Sequence, residues 1–228
     1  MDYDSPTKIK LLEHLMSFVS EERQKRFNEV LQFRTRHLCV VLEDIYQPHN
    51  ASAVLRSCDL TGVLDVHIIE NRNEYDVNPQ VALGSSKWLN LIKYNDRDNN
   101  TLGAFNSLRD SGYTIVATTP HKNAHDLDSL PLDKKVAIVF GTELTGLSDI
   151  AIDSADEYLR IPMYGFTESY NISVSAALTL FTLSQRLRSS NINWKLNEDE
   201  FTDTLLDWAR RSISRSEIVE QDFINNIK

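Results

Sequence analysis

The chain has 228 residues, 41% of them hydrophobic and 25% charged, the composition of an ordinary folded protein with one large domain and additions. No window reaches the ~18 uninterrupted apolar residues of a membrane span, and the opening MDYDSPTKIK is acidic and lacks an apolar core, so no secretory signal is read there and the cytoplasm is the expected compartment. A formal charge of −9 excludes a uniformly basic nucleic-acid binder, because phosphate contacts need Lys and Arg.

From the N-terminus, Ser5-Pro6 followed by Ile9, Leu12, Leu15, Met16 and Val19 predicts a capped amphipathic helix. Ser20-Glu21-Glu22 restarts a second, with Phe27, Val30 and Leu31 inward and Arg23, Lys25 and Arg26 outward. The texture then changes to short apolar runs at 38–43, 64–69, 88–93, 113–118, 135–140 and 157–161, read as strands. Between and after them, helices are expected at 50–61, 100–110, about 146–152 and 172–188. Such alternation specifies a parallel sheet covered on both faces by helices. Asn197 caps a last helix, with Glu198, Asp199 and Glu200 in its first turn and Phe201, Leu205 and Trp208 on one side. The expected organisation is a helical extension over 1–37, an α/β domain over 38–190 and a second helical extension over 191–228.

Charge follows this division. Residues 1–37 hold seven Lys/Arg against six Asp/Glu and residues 186–228 seven against eight, while 38–185 hold ten against nineteen. Local patches rather than net charge decide contact with RNA, so the terminal helices are candidate RNA surfaces; plain solvated faces account for the same distribution. Cys39 lies in the apolar run 38–42, and it and Cys58 are read as core thiols. Two cysteines supply neither a disulfide framework nor a four-ligand zinc site, and no metal is expected.

Three stretches carry chemistry. His49-Asn50 through Arg56-Ser57-Cys58-Asp59 follows the first strand; Asn50 is a candidate N-cap, and Arg56, six residues on, is expected to return towards its face as an anion-binding guanidinium or a simple salt-bridge partner. Gly141-Thr142-Glu143-Leu144-Thr145-Gly146 follows a buried strand. It is neither a Walker loop nor a Gly-x-Gly-x-x-Gly fingerprint. A glycine loop with a carboxylate and no basic residue suits a ligand bearing a cation and an adenosine. Ile161-Pro162-Met163-Tyr164-Gly165 through Ser169-Tyr170-Asn171-Ile172-Ser173 leads from a strand end into a helix that Ser169 or Asn171 would cap.

In this order, Asn-x5-Arg, Gly-x-Glu-x-x-Gly and Ile-Pro-Met-x-Gly-x-x-x-Ser-x-Asn-x-Ser resemble the three motifs of the SPOUT methyltransferase superfamily. Glu43-Asp44, Arg56-Ser57-Cys58-Asp59 and Gly84-Ser85-Ser86-Lys87-Trp88 point within it to the TrmH-like RNA 2′-O-methyltransferases. The resemblance spans roughly 23–188. It implies a C-terminal trefoil knot, S-adenosylmethionine as cofactor, tRNA as partner and a homodimer. It also implies methylation of a ribose 2′-hydroxyl, at the D-loop guanosine-18, with ribosomal RNA as the alternative substrate. Carried over residue by residue, Arg56 is the catalytic arginine, supported by Asn50, Glu143, Ser169 and Asn171. Cofactor contacts are implied for Thr118, Gly141, Glu143, Ile161, Tyr170 and Ser173, with Tyr170 standing where relatives commonly have Leu. His49 is read as an RNA contact or cap in preference to a general base, and Arg23, Arg26, Arg186, Arg188, Arg210 and Arg211 as RNA contacts. A NAD-binding enzyme lacks its fingerprint here, and an idle RNA-binding module would not keep Arg56, Asn171 and the glycine loop intact.

Overall fold

The computed structural model describes residues 3–76, 79–120 and 124–227. In chain order the elements are α1 (Ser5–Met16), α2 (Glu21–Leu31), β1 (Leu38–Glu43), α3 (Pro48–Thr61), β2 (Asp65–Ile69), α4 (Pro79–Ala82), β3 (Asn90–Tyr94), α5 (Thr101–Asp110), β4 (Tyr113–Thr118), β5 (His125–Asp126), β6 (Lys135–Phe140), α6 (Asp149–Asp153), β7 (Glu157–Arg160), α7 (Ile172–Arg188), α8 (Glu198–Ser212) and α9 (Ser216–Ile227). They form two compact units, Thr35–Trp194 and the paired terminal segments Met1–Arg34 and Lys195–Lys228.

The first unit is a seven-stranded sheet in the order β3-β2-β1-β6-β4-β7-β5. Every pairing between these strands is parallel. Strand β1 sits near the middle and is buried along its whole length. Its side chains alternate between two cores, as the two-residue period of a strand requires. Leu38, Val40 and Leu42 join Val54 and Leu55 of α3 and Leu180 and Leu183 of α7 on one face. Cys39 and Val41 join Phe105 and Leu108 of α5 on the other. Burial pushes the Cys39 thiol well above its ordinary pKa, which leaves it an inert packing group.

Register decides where the loops emerge. Leu38 to Leu42 lie level with Val136 to Phe140, so β1 and β6 end side by side and the loops after them share one sheet edge. The loop after β7 leaves from the same carboxyl edge, the usual ligand-binding rim of an open parallel sheet.

The elements depart from the sequence expectations in a few places, each with a local cause. Helix α3 begins at Pro48, with Gln47 as N-cap, because proline suits the first helical turn; Asn50 is therefore inside the helix and is not its cap. Asp4, not Ser5, caps α1, accepting from the Thr7 N–H at 3.0 Å. A 3₁₀ turn over Ser85–Trp88 delays β3 to Asn90. Gly146 at φ 71° and the Ser148 cap delay α6 to Asp149. The two-residue β5 and the helices α4 and α9 were not foreseen.

In the helical unit α1 packs against α8 and α9. Leu11, Leu15, Phe27, Leu31, Leu206, Trp208 and Ala209 are buried there. Trp208 is the largest of these, with the Phe27 ring 5.5 Å away and the Arg34 guanidinium 5.4 Å from its own ring. Helix α8 starts with the expected Asn197 cap, completed by Glu200 into a reciprocal capping box. Arg210 reaches from α8 to α9 with a bidentate bond to Glu220 at 2.8 and 2.9 Å. Among the described residues, no helix is long and apolar enough to cross a membrane.

Candidate active site

Glycine dictates the loop after β6. A Cβ on Gly141 would lie 2.3 Å from the Gly146 carbonyl, so residue 141 must be glycine for the loop to fold back on itself. The turn is closed by Thr142 and Gly146, whose N–H groups donate to each other's carbonyls at 2.9 and 3.0 Å. The glycine pair was expected to admit a ligand. The structure assigns Gly146 the positive φ and Gly141 the close approach of the loop's own backbone.

This loop, the end of β4 and the loop after β7 enclose a cleft of about 490 Å3. Its lining includes Thr118, Gly141, Glu143, Ile161, Ser169 and Tyr170, all expected at the site. The Thr118 hydroxyl donates to the Val139 carbonyl at 2.8 Å, which fixes its orientation. Ser173 is absent from that wall. Its N–H and hydroxyl both go to Asn171 Oδ1, and Ser175, further along α7, lines the cleft instead. Among the described residues the cleft is acidic: Glu143, Asp149 and Glu168 line it with one cation, Arg160. That guanidinium is already tied to Asp126 at 2.8 Å, a bond that holds the Asp126 carboxyl below its ordinary pKa.

A smaller compartment of about 230 Å3 adjoins it, and Glu143 and Leu144 line both. Asn171 links the three motifs beside that shared wall. It caps α7 through its Oδ1, while its Nδ2 donates to Asn50 Oδ1 at 3.2 Å and to Glu143 Oε1. Asn50 in turn donates to Gln47 Oε1 at 3.0 Å. Residues 50, 143 and 171, distant in sequence, thus form one hydrogen-bonded cluster. Capping α7 was the structural alternative for Asn171, and it does both things; Ser169 does not cap.

Arg56 lies outside both compartments and is exposed. Six residues of helix turn about 600°, which leaves it some 120° away from the face of Asn50 and about 9 Å along the axis. The expectation that it returns to that face is therefore corrected. Among the described residues neither its guanidinium nor the exposed His49 has an ion pair or hydrogen bond.

The expected RNA-contacting cations divide in two. Arg186 donates to the Leu127 and Leu130 carbonyls at 2.6 and 2.7 Å, and Arg188 to the Thr61 carbonyl at 2.7 Å. Arg210 holds Glu220 and Arg211 holds Asp207 at 2.6 Å. These four serve internal contacts. Arg23 faces solvent, and Arg26 also does so beside Glu29.

One residue with a structural part in the site was quoted in the sequence without a role. Glu43, only 2% exposed at the end of β1, accepts from the Ser148 N–H at 2.9 Å, the Ser148 hydroxyl at 2.8 Å and the Thr101 hydroxyl at 2.6 Å. It pins the far end of the glycine loop to the central strand. A carboxylate closing an otherwise apolar strand was the available signal, since such groups are almost never buried unpaired. Its neighbour Asp44, at φ 54°, gathers the N–H groups of Asn71 and Arg72 at 2.7 and 2.8 Å and so sets the position of the loop that carries Asn73.

Comparison with known proteins gives consistent matches. The model of the SpoU rRNA Methylase family covers residues 37–181. The tRNA (guanosine(18)-2′-O)-methyltransferase of Borreliella burgdorferi is 44% identical over 93% of this chain and 95% of its own length. The protein of the same name from Thermus thermophilus is 36% identical over 84% and 98%. The crystal structure of the A. aeolicus TrmH/SpoU tRNA modifying enzyme superposes with a TM-score of 0.76 at 29% identity, covering 86% of this chain and 98% of that one.

Proposed function

We infer the function of this chain from one premise, that it belongs to the SpoU rRNA Methylase family. We propose that it methylates a ribose 2′-hydroxyl of tRNA, with S-adenosylmethionine as donor and the D-loop guanosine-18 as target. The observation that carries this reading is the cluster of Asn50, Glu143 and Asn171 beside the glycine-loop cleft. The names of the relatives from Borreliella and Thermus supply the nucleotide.

The residues present fit the proposed cofactor. Glu143, Asp149 and Glu168 give the cleft a negative field suited to a sulfonium and an ammonium, and Ile161 and Tyr170 offer apolar surface for an adenine. Thr118, Gly141, Glu143, Ile161 and Tyr170 would hold it. When bound, S-adenosylmethionine supplies an already activated methyl group. What remains for the protein is orientation of the ribose, worth up to roughly 7–11 kcal/mol in ideal cases, and stabilisation of the developing alkoxide. Arginine stays protonated in proteins, so Arg56 acts as a cation: it stabilises the 2′-oxygen and grips the adjacent phosphate while the proton leaves to phosphate or water. Asn171, held by Asn50 and Glu143, fixes the wall against which the ribose is positioned, and Ser169 lines it.

The same reading includes a cytoplasmic homodimer and a trefoil knot through the segments after β6 and β7. Support for the dimer comes from α7, whose Val174, Leu178 and Phe181 are exposed at helical spacing. Contact with tRNA phosphates is assigned to Arg56, His49, Arg23, Lys25 and Arg26, which keep their side chains towards solvent. Incubation with S-adenosylmethionine and either unmodified tRNA or ribosomal RNA tests the reading. Methyl incorporation into tRNA is expected; incorporation only into ribosomal RNA overturns the substrate.

A further inference from the structure

The smaller compartment has a pattern of hydrogen-bonding groups that the reading above leaves unused. Gln47 and Asn73 line it together with Asn50 and Glu143, between the apolar side chains of Leu144 and the largely exposed ring of Tyr46. Each amide is half committed. Gln47 gives its Oε1 to Asn50, and its N–H donors have no partner among the described residues. Asn73 spends its Nδ2 on the Asp44 carbonyl at 3.0 Å, which leaves its Oδ1 as an acceptor. Asn171 occupies one oxygen of Glu143, and the other remains an acceptor. The compartment therefore presents one kind of donor and two acceptors, beside an aromatic face and next to the cleft.

We propose that this compartment receives the base of the target nucleotide, swung out of its stack, and that Gln47 and Asn73 are the residues that select guanine. The inference rests on the methyltransferase reading. A base removed from its stack is read along its Watson–Crick edge and held between aromatic or apolar side chains. Guanine offers one acceptor, O6, and two donors, the N1 and N2 hydrogens, which complement the free groups of Gln47, Asn73 and Glu143. Adenine presents an amino group where guanine has O6, facing the Gln47 donor, and no hydrogen-bonding group at its C2 position. It would leave site groups unpaired, the most effective way for a polar site to reject an analogue. Tyr46 supplies the stacking face. Asp44, which gathers the backbone of 71–73, is a positioning residue for Asn73.

The test uses the full-length protein, S-adenosylmethionine and tRNA transcripts carrying guanosine, inosine, 2-aminopurine or adenosine at position 18. Wild type is expected to favour guanosine, with inosine and 2-aminopurine each reduced about tenfold to a hundredfold in kcat/KM. Asn73→Ala should lose the guanosine-over-inosine preference, and Gln47→Ala should shrink the guanosine-over-2-aminopurine preference about tenfold without erasing it, because 2-aminopurine also lacks the N1 hydrogen offered to Glu143; both variants should keep the Kd for S-adenosylmethionine. Gln47→Glu, which exchanges the donor for an acceptor at an exposed position, should shift preference towards adenosine. If wild type methylates the guanosine transcript and all three variants keep its base preferences, this inference fails while the function stands. If wild type methylates none of the transcripts, both fail.

Discussion

In the helical unit several charged groups are turned on each other: Arg210 grips Glu220, Arg211 grips Asp207 and Lys8 grips Asp203 at 2.8 Å, around a core centred on Trp208. At the carboxyl edge of the sheet the polar groups also hold one another, but incompletely. Asn171, Asn50 and Gln47 form a chain that leaves donors and acceptors to spare; Arg56, further along α3 and outside that cluster, has no partner among the described residues. One set is ion pairs and the other amides, and they differ in how far their groups are satisfied. Satisfied polar groups build structure, while groups held in place yet left with free functions are available to a ligand.

That contrast can be broken from either side. The largest effect is expected for Trp208→Ala, which empties the core of the helical unit and should cost about 3–5 kcal/mol in denaturant unfolding, with the Kd for S-adenosylmethionine unchanged. Arg56→Ala should do the reverse. Stability and cofactor affinity stay, while kcat falls about 10²–10³-fold, equivalent to about 2.7–4 kcal/mol. Arg56→Lys should also fail, because a point charge does not reproduce the planar fork. Gly141→Ala forces a methyl into the Gly146 carbonyl, so the loop must open, and the strain of about 1–3 kcal/mol should appear chiefly as weaker cofactor binding in calorimetry.

The smallest effect sharpens the account of the helical unit. The hydrogen bond from Arg210 holds the Glu220 carboxyl below its ordinary value of 4.5. A carboxylate lowered on folding adds stability above its unfolded pKa and loses it as pH falls through the folded one. Glu220→Gln should therefore be about 1 kcal/mol or less below wild type at pH 7, and the gap should close below about pH 4.5.

Much of this was legible in the sequence because burial on both sheet faces writes itself as unbroken apolar runs. Strands β1, β4 and β6 and helix α7 fall where the runs and the Asn171 cap predict. Helix α9 was not, since no glycine or proline stands between α8 and Ser216–Ile227 to mark a new element. Of the site, the motif residues Asn50, Glu143 and Asn171 were named from order and context, and they meet. The orientation of Arg56 was misread because a helix, unlike a motif, imposes 100° per residue. The internal duties of Arg186, Arg188, Arg210 and Arg211 depend on carbonyls and carboxylates that only the fold brings near, as do the half-used amides of Gln47 and Asn73.

The central claim is that the edge cluster serves ribose methylation of one guanosine. Mass spectrometry of nucleosides and nuclease fragments from tRNA incubated with the enzyme and S-adenosylmethionine tests it most directly. The expected product is 2′-O-methylguanosine in the D-loop fragment that contains position 18, formed about 10²–10³-fold more slowly by Arg56→Ala. A methyl group on a base, on another nucleotide, or delivered equally by Arg56→Ala would contradict it.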